Sequence, residues 1–138
     1  MISSKFSTLF TSESIDFAML VFLWIVQIII YPSFKEVAKN RILIWHKNYQ
    51  SKVCIIMGPI MLFQIYMITV DLITDSSTLS IIRFILLMAS WFLTVFISVP
   101  IHKKIESNND LQGSIERLIQ TNLFRTFTWT AIYLTHLI

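Results

Sequence analysis

Residues 53–70 read VCIIMGPIMLFQIYMITV, eighteen positions without a charge, bounded by Lys52 and Asp71. Coiled as an α-helix, such a run extends about 27 Å at 1.5 Å per residue, close to the thickness of the hydrocarbon layer of a bilayer. Two further runs match it. Residues 17–34, FAMLVFLWIVQIIIYPSF, lie between Asp16 and Lys35, and residues 84–101, FILLMASWFLTVFISVPI, lie between Arg83 and His102. A fourth stretch, residues 118–138, is uncharged except for Arg125. The expected fold class is therefore all-α: a four-transmembrane-helix bundle in one integral membrane domain, residues 1–138, with spans at about 16–34, 53–71, 83–101 and 118–138.

Composition points the same way, because 55% hydrophobic and 14% charged residues are too apolar a mixture for an ordinary soluble domain of 138 residues. With only 2 Gly and 3 Pro there is no glycine-rich phosphate loop and no series of tight hairpins. The single cysteine, Cys54, lies inside an apolar run, which excludes an intramolecular disulfide and a thiolate metal cluster. The net charge of +3 does not indicate nucleic acid, since the Lys and Arg residues gather beside apolar runs, where they act as topology signals and contacts for anionic lipid heads.

Nine of the 11 basic residues fall in two segments: Lys35, Lys39, Arg41, Lys47 and Lys52 in the first, Lys103, Lys104, Arg117 and Arg125 in the second. The bias of basic loops toward the cytoplasm places loops 35–52 and 102–117 inside and both the N-terminus and the C-terminus on the extracytoplasmic side. The flank at residues 1–16 holds Lys5 but also Glu13 and Asp16, the reverse of a signal peptide's basic flank, so the first span is expected to stay uncleaved. A multi-pass protein of a bacterial inner (cell) membrane is the expected location. Asn40 is placed to cap a helix carrying Ile42, Leu43, Trp45 and Tyr49 that lies at the interface or extends the second span, and Pro59 is expected to kink the second span. A polar turn at residues 107–110 leads into the fourth.

Within lipid, polar side chains favour the bundle interior, so their periodicity marks the inner faces. The stripes are Trp24, Gln27 and Tyr31 on span one; His46, Gln50, Cys54, Met57, Met61, Gln64 and Asp71 on span two; Trp91, Thr94, Ser98 and His102 on span three; and Asn122, Arg125, Trp129, Tyr133 and His136 on span four. With the deduced sidedness, Tyr31, His46, Gln50, His102, Asn122 and Arg125 converge at the cytoplasmic helix ends and form the candidate site, whereas His136 lies at the opposite end. Arg125 is suited to an anionic group such as a lipid phosphate or a substrate carboxylate, with Asn122 as its neighbour. His46 and His102 are candidates for a metal, and two histidines without a third ligand are a thin set beside ordinary metal sites. Gln64 reads as interhelical glue, and Cys54, Met57 and Met61 as packing, with sulfur ligation of a soft metal such as copper as the alternative.

The segments Tyr31-Pro32, Val99-Pro100-Ile101-His102 and Asn122-Leu123-Phe124-Arg125-Thr126 resemble those of small four-helix bacterial membrane proteins related to the anthrone oxygenase-like family. The resemblance implies the same four-span topology. It also implies a histidine before Tyr-Pro, a second one four residues after His46 and a glutamate in the second helix, and here those places hold Ile30, Gln50 and Gln64. No complete set of acid, base, nucleophile or metal ligands is visible, so the leading expectation is a lipid- or partner-interacting bundle without an assigned cofactor. Its partners would be membrane lipids and a second copy or another membrane protein. The alternative is a membrane-embedded oxidoreductase or oxygenase-like enzyme acting on a hydrophobic substrate.

Overall fold

The computed structural model describes residues 11–107 and 110–138; Lys5 of the amino-terminal flank and Asn108 and Asn109 of the polar turn lie outside the described residues. Four helices follow in chain order: α1 Ser12–Ser33, α2 Ile42–Thr74, α3 Thr78–Glu106 and α4 Leu111–Leu134. Among the described residues there is no strand. α1, α2 and α3 are long and apolar enough to cross a membrane, with mean hydropathies of 2.1, 2.1 and 2.3. α4 is long but carries Glu116, Arg117 and Arg125 and falls short of that apolarity.

Short connections force neighbouring helices to run antiparallel, and the packing follows chain order around a ring: α2 lies against α1 and α3, and α4 lies against α1 and α3. Thr11 caps α1 and Ser77 caps α3, each hydroxyl accepting from the amide three residues on, and Asp110, at φ 50°, does the same for Gly113 at the start of α4. Asn40 does not cap α2. Arg41 occupies that position, and the amides of Arg41 and Ile42 are instead taken by the Ala38 carbonyl in the preceding turn. α2 then runs for 33 residues, unbroken through Pro59.

The distribution of polarity is inverted relative to a soluble protein. Asp16, His46, Gln64, Ser90, Asn122 and Thr126 are wholly buried, while Ile28, Ile55, Leu62, Ile73, Phe96 and Phe124 are each more than 60% exposed. Water would penalise that surface, whereas hydrocarbon would not. Two apolar clusters fill the interior. One, around Tyr31, Phe34, Ile42, Ile105 and Leu118, sits at the end bearing the basic connections; the other, around Met19, Leu23, Met57, Ile68 and Trp129, fills the middle and the far end.

Two stretches of widened helix shape the inner faces. Residues Val26–Ile30 in α1 and Leu93–Ser98 in α3 are π-helical, closed by the bonds from the Tyr31 amide to the Val26 carbonyl and from the Val99 amide to the Thr94 carbonyl. Each is followed at once by a proline pair, Tyr31-Pro32 and Val99-Pro100. A proline ring inside an α-helix collides with the carbonyl four residues back, and one wide turn relieves that collision without ending the helix.

A buried polar cluster bordering an intramembrane cavity

The two wide turns set Tyr31 and His102 against each other. The Tyr31 hydroxyl and His102 Nε2 are 3.2 Å apart, and His102 Nδ1 shares a 2.8 Å hydrogen bond with His46 Nε2. His46 is wholly buried and its Nδ1 has no protein partner. An aromatic wall of Phe34, Trp45 and Tyr49 holds this chain, with the Phe34 ring 5.6 Å from the His46 ring and nearly perpendicular to it. In one arrangement of protons Tyr31 donates to His102 and His102 to His46; in the other each bond is reversed.

One turn nearer the middle of the bundle lies the second half of the cluster. Arg125 Nη1 donates to Ser98 Oγ at 3.3 Å and to Asn122 Oδ1 at 3.2 Å, and Asn122 Nδ2 donates to Gln27 Oε1 at 2.8 Å. The guanidinium sits 5.6 Å from the centre of the Trp129 ring. Arg125 is 8% exposed, its Nε has no partner, and no carboxylate among the described residues pairs with it.

Both halves border a cavity of about 180 Å³ between α1, α2 and α3. Tyr31, Gln50, His102 and Arg125 line its polar end, and Met19, Leu23, Met57 and Met61 line the rest. The exposed residues Cys54 and Val99 form part of its rim, so it opens sideways between α2 and α3. Gln50 Oε1 is buried there without a partner. Of the six residues singled out from the sequence, four line the cavity, while His46 stands behind His102 and Asn122 behind Arg125.

The donor set does not converge on a metal. No group of three or more His, Cys, Asp or Glu side chains meets among the described residues, and His46 and His102 turn toward each other the nitrogens they would offer jointly. The Arg125 charge on the same cavity opposes a cation as well.

A second polar cluster occupies the far end of the bundle. Asp16, which in the sequence marks the edge of the first span, is wholly buried; its Oδ1 accepts from Gln64 Nε2 at 2.6 Å and its Oδ2 lies 2.8 Å from His136 Nε2. Gln64 Oε1 accepts in turn from Trp129 Nε1 at 3.0 Å, so Gln64 does join helices. The available signal was spacing: Asp16, Met19, Leu23 and Val26 recur every three or four residues on one face, and all four are buried. Comparison of the chain with protein-family models, curated proteins and solved structures returns no match.

Proposed function

We propose that the chain is a four-span protein of a bacterial inner membrane, with both termini outside and its basic connections in the cytoplasm, that binds an anionic amphiphile of the bilayer in the cavity at Arg125. The observation that carries this reading is the buried Arg125, which among the described residues has no partner for its Nε and no acidic partner, and has an apolar cavity in front of it. A buried cation without a counter-charge is costly, and a phosphate or carboxylate that enters from the bilayer removes that cost. The fourth crossing is supported by the two faces of α4: Asn122, Arg125 and Thr126 point inward, while Leu123, Phe124, Phe127 and Leu134 are exposed.

The test is native mass spectrometry and lipid extraction of protein purified in mild detergent. Wild type should retain anionic lipid or fatty acid at near-stoichiometric level, and Arg125→Leu should lose it while still purifying as a folded helical protein. Equal retention in the two proteins would sink the reading.

A second reading, a membrane-embedded oxidoreductase or oxygenase-like enzyme acting on a hydrophobic substrate, draws on the Tyr31, His102 and His46 chain that ends at the cavity. Those groups are able to pass a proton to or from a bound substrate. Metal or pigment that co-purifies with wild type and disappears from a His46→Ala/His102→Ala variant would favour it over simple binding.

A further inference from the structure

Gly58 lies in the middle of α2, where a glycine is among the poorest helix formers. Two common reasons for a glycine are absent. Its backbone does not take a positive φ, and a Cβ built on it meets nothing within 4 Å, so no neighbouring helix needs the room. The contact between a residue and the proline after it does not by itself demand glycine, since Tyr31 and Val99, which precede prolines at the ends of wide turns, keep helical angles, φ −68° ψ −40° and φ −59° ψ −46°. What Gly58 does border is the cavity.

We infer that Gly58 is a specificity-determining residue: it keeps open the apolar part of the cavity so that one acyl chain, its anionic head on Arg125, can extend past α2. The inference rests on the reading of Arg125 given above and adds the tail to it. Along α2 the lining runs from Gln50, one turn beyond His46 as Ser98 is one turn before His102 and so level with Arg125, through Val53, Cys54 and Met57 to Met61, a distance of about 16 Å at 1.5 Å per residue. One leaflet of the hydrocarbon core is about 15 Å deep, the reach of a single membrane acyl chain. Gly58 stands about 12 Å from the Gln50 level, so a long chain passes it and a short one stops before it. The methionines Met19, Met57 and Met61 give that stretch an unbranched, adaptable lining, and the sideways opening at Cys54 and Val99 lets a chain enter from the bilayer.

The experiment measures calorimetric binding of oleate and of octanoate to wild type, Gly58→Ala, Gly58→Leu and Arg125→Leu, each purified and placed in nanodiscs of neutral phosphatidylcholine. Wild type should prefer oleate. Gly58→Leu, whose side chain enters the cavity, should weaken oleate at least tenfold and leave octanoate within about twofold. Gly58→Ala, whose single methyl narrows the cavity less than leucine does, should weaken oleate by an intermediate factor and, by circular dichroism, keep the helical content of wild type. Gly58→Leu weakening both acids equally, or neither, overturns the inference. Arg125→Leu binding both as wild type does would overturn the underlying reading instead. Competition by dioleoyl phosphatidic acid separates the sources: displacement of oleate assigns the chain to a membrane lipid, and its absence to a free fatty acid, the Gly58 dependence being required in either case.

Discussion

Replacing Asp16 with alanine removes one acceptor group that serves donors from two other helices, Gln64 of α2 at 2.6 Å and His136, just beyond α4, at 2.8 Å. In a soluble core a hydrogen bond to a charged group contributes about 1.5 to 3 kcal/mol. Between helices in a membrane the measured average is nearer 0.6 kcal/mol, because separated helices in lipid still find partners for their polar groups. The carboxylate is wholly buried, and its loss leaves the Gln64 amide N–H without its acceptor, so the upper part of the membrane range applies to each contact. The expected cost of Asp16→Ala is thus about 2 to 3 kcal/mol for two contacts near the upper membrane figure. Asp16→Asn keeps an acceptor for Gln64 and can offer an N–H to a neutral His136, and should cost less than about 1 kcal/mol. Thermal unfolding in a fixed mild detergent, followed by tryptophan fluorescence, reads the difference, since Trp129 bonds to the same Gln64. Equal losses for alanine and asparagine, or an alanine variant indistinguishable from wild type, would show that the buried carboxylate does not hold the three helices together.

Removing the proline should undo the wide turn that it accompanies: Pro100→Ala is expected to let residues 93–98 return to α-helix, which rotates His102 away from Tyr31. Amide and side-chain NMR of the Tyr31 hydroxyl and the His102 ring would show the lost contact, and an unchanged contact would separate the wide turn from the proline. Trp129→Phe keeps the ring beneath Arg125 but deletes the N–H that reaches Gln64, and should lower stability by about 0.6 to 1.7 kcal/mol, the range for interhelical bonds in membranes; a larger loss would assign Trp129 a packing role instead. The proposed sidedness predicts that Lys39→Cys, on a Cys54→Ser background, reacts with an impermeant maleimide only after the cytoplasmic face is opened. Labelling in intact cells would reverse the orientation.

The apolar runs were readable because eighteen uncharged residues at helical rise have few other uses; α2 and α3 include theirs, and α1 includes all of its own but Phe34. The start of α2 at Ile42 was legible in the amphipathic run before the second span, but a charge is a poor marker of a helix end. Lys47 and Lys52 interrupt the apolar count, yet both are exposed on α2 while Ile42 and His46 on the same helix are buried. Asp16 errs in the other direction. A carboxylate ordinarily ends a span, and this one instead turns into the bundle on the face of Met19 and Leu23. Of the stripes, Tyr31, His46, Asn122 and Arg125 are buried, whereas Cys54, expected to pack inside, is exposed at the cavity rim. Their pairing was beyond periodicity, since a π-turn shifts the face of everything after it and no count at 3.6 residues per turn anticipates that shift. The prolines at 32 and 100 were the visible trace of it.

α4 is the least apolar of the four helices and, like α1 and α2, contributes to both polar clusters. Its Arg125 and Asn122 border the cavity cluster, and its Trp129 reaches Gln64 and hence Asp16. Trp129 is therefore a joint: its ring lies under the guanidinium while its N–H is held from the far cluster. The cation–π contact offsets only part of the cost of burying Arg125, since the ring supplies a partial negative face and no counter-ion. The chain does possess a buried acid, Asp16, but bonds it to Gln64 and His136 at the other end. A bundle selected for stability alone would bring the two charges together or dispense with both. Holding them apart, with Trp129 and Gln64 in between, leaves the arginine available to an anion that comes from outside the chain.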